Sequence, residues 1–424
     1  MLELNLIKKN SAEIIQKLAI RGGDYSQKIN DILDLNEKRI KNQQALDEAL
    51  RESNKIGQLI GQLAKVGNFE KLEVLKKKAT QIKTKAKELN NLSNITIKDL
   101  EEKLVSIPNT PDLSVPIGNS ANDNQEIYRW GKSNKSSQIK PHWELAEKYD
   151  IIDFENGSHI TGSGFPIYKG MGAKLQRALI NFFLEYNNTK GYTEYIPPYF
   201  VNEKSAFNTG QIPDKEGMMY HINEDNLFAI PTAEVPITNI FKNKRFTHKE
   251  LPIKCTAYSP CFRREAGSYG KEVRGLNRLH QFDKVEIVQI CQPEKSYEIL
   301  EEMVSHVSEL LKKLNLEFRI VKLCGGDLGF TAAMTYDFEV YSPAQKKWLE
   351  VSSVSNFETF QANRLKMKYI NNETKEIQLC HTLNGSSLAL PRIMAAILEQ
   401  NQTDDGIIIP KAIKDYINFN KITV

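Results

Sequence analysis

The sequence predicts an α+β protein in two unequal parts: a long antiparallel α-helical hairpin of coiled-coil type, then a larger domain on a mainly antiparallel sheet. Three observations carry this. The stretch from Ser26 to Leu100 contains no proline and only three glycines, at 57, 61 and 67. Within it, residues recur at spacings of three and four: Leu46, Ala49, the polar Ser53, Ile56, Ile60 and Leu63, then Leu72, Leu75, Ala79, Ile82, Ala86 and Leu89. An average spacing of about 3.5 is the seam of a coiled coil. From about Pro141 the texture changes to aromatic residues, Gly and Pro punctuation, and short alternating runs such as Tyr336–Tyr341 and Trp348–Ser352, which read as strands.

The first helix is expected near residues 28–65 and the second near 69–98, with the chain reversing at Val66-Gly67-Asn68. At 1.5 Å per residue the first would be about 55 Å long, more than a compact domain needs, so the hairpin is expected to project into solvent. Ile107-Pro108-Asn109-Thr110-Pro111, Pro116 and the polar run to Gln138 read as a linker. This sets the expected organisation: an arm at 1–106 with its hairpin at about 26–100, a linker at 107–140, and a domain at 141–424. In that domain helical periodicity returns at 174–186, 295–314 and 388–400, without the regular βαβ alternation of a parallel sheet. No internal repeat is visible.

The 424 residues carry 57 basic and 53 acidic side chains, a net charge of +4, with 40% hydrophobic and 26% charged residues. These values exclude a wholly disordered or collagen-like chain. No run of 18 apolar residues exists, so no membrane span is expected. The start lacks a signal-peptide pattern, and the location expected is cytoplasmic. Five cysteines, at 255, 261, 291, 324 and 380, are odd in number and widely spaced, which suits reduced buried thiols. The small net charge hides an asymmetry: residues 26–100 hold 15 Lys and Arg against 10 Asp and Glu, with Lys76-Lys77-Lys78 together. A basic rod suits contact with an RNA backbone. A dimerisation coiled coil or a plain spacer fits the same pattern, and the residues alone leave these open.

Several motif-like runs carry no chemistry. Gly131-Lys132-Ser133 resembles the end of a phosphate loop, but the required first glycine would stand at Glu126. Gly325–Gly329 reads as a turn, and His159, His280 and His381 have no partner at metal-ligand spacing. The informative stretch runs from Phe262-Arg263-Arg264-Glu265, through a loop with glycines 267, 270 and 275, to Arg278-Leu279-His280-Gln281-Phe282 and Glu286. Two extended flanks would put Arg263 and Glu265 on one lip and Arg278, Phe282 and Glu286 on the other. Arginine meets phosphate bidentately, an aromatic face stacks on a base, and acids bind an amine or hydroxyl. A nucleotide site and a charged hairpin with ordinary cross-strand ion pairs fit this spacing equally well.

The pattern Phe-Arg-x-Glu, loop, Arg-x-x-x-Phe-x-x-x-Glu resembles motif 2 of the class II aminoacyl-tRNA synthetases. Gly172–Leu179 with Gly191–Pro198 resembles motif 1, a helix and strand at a dimer interface, and Asn384–Arg392 resembles motif 3. Thr232-Ala233-Glu234 and the N-terminal hairpin are similar to the seryl-tRNA synthetase family, and the likeness spans the whole chain. Pro391 replaces the usual glycine of motif 3, Ser387 stands where Gly or Ala is common, and Gly164-Phe165 differs from the usual Arg-Phe.

The resemblance implies a class II catalytic domain that activates L-serine with ATP and transfers it to serine tRNA, and also to selenocysteine tRNA. It implies a homodimer, with serine tRNA gripped through the N-terminal arm. Arg263, Glu265 and Arg392 are the implied catalytic residues. ATP would contact these with Arg264, Leu279, Phe282, Glu350, Val351, Ser352 and Ser353. Serine would contact Thr232, Ala233, Glu234, Arg263, Glu286, Asn384 and Ser386, and Glu350 and Ser353 would hold Mg²⁺. Two alternatives remain: a ligase that loads an amino acid onto a carrier protein, and a non-catalytic RNA-binding relative.

Overall fold

The computed structural model describes the chain apart from residues 67–68, 133–138, 215 and 266–273. It divides into two compact units, Met1–Ala19 with Gly23–Pro108 and Ile20–Gly22 with Asn109–Val424.

The first unit consists of α1 (Leu4–Ala19), α2 (Ser26–Val66) and α3 (Phe69–Val105). Every residue of the expected seam is at least half-buried, and Leu46, Ala49, Ile56, Ile82 and Ala86 are buried. The expected reversal at Gly67 and Asn68 lies outside the described residues. Toward the base the seam continues on Ile29, Ile32, Leu100 and Leu104, interrupted by the buried polar residues Asn36, Ser93 and Thr96. Those polar positions hide the repeat from a hydrophobic count, which is why α3 runs farther than expected. Two of them are satisfied locally: Asn42 donates to Thr96 Oγ1 at 3.1 Å, and Arg39 donates to Asn36 Oδ1 at 3.0 Å. Lys78–Glu52 at 2.8 Å and Lys103–Asp31 at 2.9 Å join α3 to α2. The helix α1, with Ile7, Ile14 and Leu18 buried, was too short to stand out by period.

The second unit is built on an eight-stranded sheet. Its strands are β1 (Gln125–Trp130), β2 (Thr193–Tyr195), β3 (Ile253–Phe262), β4 (Gln281–Cys291), β5 (Phe318–Lys322), β6 (Met334–Ser342), β7 (Lys347–Asn356) and β8 (His381–Ala389). The spatial order is β1-β5-β6-β7-β8-β4-β3-β2, antiparallel throughout except for the parallel pair β2–β3. The helices that bear on the site are α4 (His142–Lys148), α5 (Gly170–Thr189), α6 (Ser296–Lys313), α7 (Thr359–Leu365) and α8 (Leu390–Gln400).

Alternation along the strands divides the sheet into two faces. Val285, Ile287 and Cys291 of β4 and Leu383 of β8 join one apolar core with Leu179 and Phe183 of α5, Leu300, Met303 and Val307 of α6, and Ile393 and Ile397 of α8. The intervening residues, Lys284 and Glu286 of β4 and Asn384 and Ser386 of β8, line a cavity. One face is therefore closed by helices and the other carries polar groups.

The segment read as a linker is largely built into this unit. Asn109 is buried, its amide donates to Phe330 O at 2.9 Å, and its side chain donates to Phe357 O at 2.8 Å. Residues 125–130 are an edge strand paired with β5. Prolines and a mostly exposed strand gave this stretch the look of a linker. All five cysteines are free and buried.

The seam makes a direct prediction. Ile82→Asp puts a carboxylate into an apolar contact line, and trypsin should then cut within α2 and α3 about tenfold faster while the second unit stays intact. Unchanged cleavage would mean that the seam does not hold the hairpin together.

Candidate active site

A cavity of about 590 Å³ opens on the polar face of the sheet. At one end its walls are acidic and buried. Glu286 is 1% exposed; Lys284, two residues away on the same face of β4, brings its Nζ to 2.8 Å from the Glu286 carboxylate. Asn384 Nδ2 donates to the other carboxylate oxygen of Glu286. Burial raises the Glu286 carboxyl above its ordinary range, against the pull of the Lys284 ammonium. Glu234 is also buried and accepts from Gln361 Nε2 of α7 at 2.7 Å; burial pushes its pKa up to about 7. Thr232 and Ser386 line the same end.

The other end is cationic and aromatic. Arg263 lies one residue past β3, its amide donating to His280 O at 2.9 Å, and its guanidinium stands 5.3 Å from the Phe282 ring. Arg392 enters from the first turn of α8, donating from Nε to Asn277 O at 3.0 Å and from Nη1 to Glu350 O at 2.7 Å. Pro391 fits its place because it sits in that first turn, where no intrahelical N–H bond is lost. Ser387 points to the helical face and donates to Asn187 Oδ1 at 2.8 Å.

Two irregularities in the strands aim these groups. In β8 the register moves from Glu286↔Ser386 to Lys284↔Ala389, so Ser387 and Leu388 together oppose Val285. Leu388 has φ +101°, a costly backbone for leucine, and this bulge turns β8 into α8. In β7 the register moves from Phe338↔Ser352 to Glu339↔Glu350, leaving Val351 bulged. Glu350 and Ser353 are three residues apart and would otherwise face opposite ways; the bulge puts both on the cavity side. Across from Ser353 stands Asp337, whose Oδ1 is buried and has no hydrogen-bond partner among the described residues. Burial first, and then the Glu350 charge, push the Asp337 carboxyl well above the usual carboxylate range. Oxygen donors beside surplus negative charge suit a hard divalent cation.

Of the residues implied for the site, Thr232, Glu234, Arg263, Glu265, Leu279, Phe282, Glu286, Glu350, Val351, Ser352, Ser353, Asn384, Ser386 and Arg392 all line this one cavity. Ala233 and Arg264 do not. Ala233 is buried in an apolar cluster with Ile237 and Val288. Arg264 is exposed, its amide donating to Met218 O at 2.8 Å. The expected strand–loop–strand geometry also needs correction. Arg263 to Glu265 follow the end of β3, Arg278 precedes β4, and Glu265 has φ +47°. Glu265 and Arg278 pair at 3.2 Å, so an ion pair of the kind a charged hairpin would make is present in the cavity wall. Glycines 267 and 270, and Ser133 of the phosphate-loop mimic, lie outside the described residues. Sequence reasoning missed Lys284 and Gln361. The i, i+2 spacing of Lys284 to Glu286 could have revealed the first; nothing local marks the second.

This division of a sheet, with helices behind and an acidic and an arginine-bearing end in front, defines the class. Residues 219–401 match the family model of the tRNA synthetase class II core domain (G, H, P, S and T), and residues 1–111 match that of the seryl-tRNA synthetase N-terminal domain. The serine–tRNA ligase of Salinibacter ruber is 43% identical over 424 residues, which is 100% of this chain and 99% of the relative. That of Methylacidiphilum infernorum is 45% identical over 98% of this chain and 99% of its own. Among solved structures, seryl-tRNA synthetase from Pyrococcus horikoshii complexed with ATP superposes with a TM-score of 0.91 at 33% identity, covering 100% of this chain and 99% of the other. The chain belongs to the seryl-tRNA synthetase family.

The buried Glu234 makes stability depend on pH. Its folded value of about 7 exceeds the ordinary 4.5, so between those values the folded protein holds a proton that the unfolded chain has released. Stability therefore falls as pH rises through this window. Glu234→Gln removes the loss: the variant should melt about 2–4 °C above the parent at pH 8 and no higher than the parent at pH 5. A parallel pH profile in thermal melts would contradict this.

Proposed function

We infer that the cavity is where L-serine and ATP react. The protein is a serine–tRNA ligase: it forms seryl-adenylate with release of pyrophosphate, then passes serine to the 3′ end of serine tRNA. The observation that carries the assignment of the cavity is its polarity, with buried acids at one end and two arginines beside an aromatic ring at the other.

In the first step a serine carboxylate oxygen attacks the α-phosphorus, and the bond to pyrophosphate breaks. Arg263 belongs to the cationic end yet is close enough for its charge to act on Glu234 and Glu286, so it can hold both the serine carboxylate and the α-phosphate while negative charge builds. Phe282 offers its face to the adenine, with Arg392 opposite and within reach of the phosphates. At the acidic end, Glu286 takes the serine ammonium, with Thr232, Glu234 and Ser386 available to its hydroxyl. A site that hydrogen-bonds a hydroxyl leaves buried groups unpaired when alanine enters, and so rejects it. Glu350 and Ser353, with Asp337 behind them, would hold Mg²⁺, which when bound supplies charge neutralisation on the phosphates. In the second step a ribose hydroxyl of the terminal nucleotide attacks the seryl carbonyl and AMP leaves. No group of the protein needs to bond covalently to substrate, so catalysis is positioning and charge stabilisation.

The match of residues 1–111 to the seryl N-terminal model disfavours the carrier-protein ligase, and the retained Arg263 and Arg392 disfavour a non-catalytic relative. Serine tRNA meets the basic arm in this reading. Lys78 pairs with Glu52 and Lys76 lies 3.9 Å from Glu73, whereas no ion pair engages Lys77 among the described residues. A homodimer is supported by β2, an open sheet edge, followed by Ile196 at 86% exposure. In this reading the enzyme acts in the cytoplasm beside tRNA. No helix among the described residues is long and apolar enough to cross a membrane.

Arg263→Ala should lower serine-dependent ATP–pyrophosphate exchange by about 10²–10³ without loss of fold, because a donor to developing charge is removed. Exchange within a few-fold of the parent would overturn the assignment.

Replacing residues 26–100 with a short flexible linker should leave pyrophosphate exchange nearly unchanged and lower transfer to tRNA by at least about 10², since backbone contacts dominate RNA affinity. Charging equal to that of the intact chain would make the hairpin a spacer.

A further inference from the structure

A buried His–Glu pair outside the cavity holds one of its walls. His142, at the start of α4, is fully buried, and so is the side chain of Glu399, near the end of α8. His142 Nδ1 lies 2.8 Å from Glu399 Oε1, and the backbone N–H of His142 donates to the same oxygen at 3.1 Å. Ser342 of β6 donates to the other oxygen of Glu399. On its far side, His142 Nε2 accepts the backbone N–H of Leu276 at 2.9 Å. An Nε2 that accepts carries no proton, so the ring is neutral with its hydrogen on Nδ1, pointed at the carboxylate. Glu399 thereby fixes both the tautomer and the orientation of the ring, as a second partner does for any histidine with a directional task.

What the ring grips is the segment that enters β4. Gly275 has φ +68°, and a Cβ there would meet His142 Nε2 at 2.4 Å, so glycine is required for the approach. Leu276 and Asn277 line the cavity, and Asn277 O accepts from Arg392 Nε. Arg392 and Glu399 sit on the same helix, two turns apart. The chain 275–277 is thus pinned at two successive residues, to His142 at the Leu276 N–H and to Arg392 at the Asn277 carbonyl. This is the end of the cavity that holds Phe282.

We propose that His142, oriented by Glu399, is a positioning residue for ATP: it holds the Leu276–Asn277 wall, and through Asn277 the Arg392 guanidinium, in the geometry that receives the nucleotide. The proposal rests on the cavity being the ATP site. It predicts an effect on one substrate only, because the acidic end is built from Thr232, Glu234, Glu286, Gln361, Asn384 and Ser386, whose hydrogen bonds do not involve His142, Leu276 or Asn277.

The test is His142→Asn. The amide nitrogen of asparagine can take the place of Nδ1 and keep Glu399 satisfied, while nothing replaces Nε2 at Leu276. In pyrophosphate exchange the KM for ATP should rise about tenfold, the loss of one hydrogen bond to a buried group, with the KM for serine within about twofold. Amide hydrogen exchange in the peptide covering 274–280 should accelerate in the ligand-free protein. Glu399→Gln, whose carbonyl still accepts from the ring, should behave as the parent. Should His142→Asn fail to fold, Gly275→Ala presses the same contact from the other side and should give the same split. Equal changes in both KM values, or no change in either with unaltered exchange at 274–280, would overturn the proposal. Absence of serine-dependent exchange in the parent would instead overturn the reading of the cavity.

Discussion

The structure depends on strand register. Because side chains alternate on a strand, Val285 and Ile287 go into the core only if Lys284 and Glu286 go into the cavity. A slip of one residue would bury the charges under α5 and α8 and expose the core. The apolar packing on the helical face therefore does more than stabilise: it indexes the polar face. The bulges at Val351 and at Ser387–Leu388 are the two places where the alternation is broken, and each break delivers groups to the cavity that a regular strand would send elsewhere.

The cavity is held in a state that water would not choose. Glu234, Glu286 and Asp337 each lose hydration, and each carboxyl is raised above its ordinary range by burial before any neighbour acts. Lys284 compensates Glu286, and Gln361 partly satisfies Glu234, but Asp337 keeps a bare oxygen. Such groups lower the stability of the empty protein and raise its affinity for cationic ligands. In the proposed reading an ammonium at Glu286 and a divalent cation near Glu350 would supply the missing charge. The arginine end is arranged in the opposite sense, for phosphates and a carboxylate.

Much of this was legible in the sequence because it is periodic or locally clustered. The 3-4 spacing from Leu46 to Leu89 marked the hairpin, and the charged stretch from Arg263 to Glu286 marked the site. What was hidden depends on contacts between distant segments. Asn109 reads as a linker residue until Phe330 and Phe357 are seen to surround it. Gln361 reaches Glu234 across 127 positions, and His142 reaches Glu399 across 257. Arg264 and Ala233 stand apart from the cavity for the converse reason: they belong to short motifs whose alternate residues line it, while they themselves face solvent and core.

The central claim is that buried acids and hydrogen-bonding groups around Glu286 select serine for reaction with ATP. Amino-acid-dependent ATP–pyrophosphate exchange by the intact chain tests it most directly, with serine and alanine compared under the same conditions. The account predicts exchange with serine and a kcat/KM for alanine lower by about 10⁴ or more, since a missing hydroxyl leaves buried polar groups unpaired. Exchange supported equally by alanine, or none with serine, would contradict it.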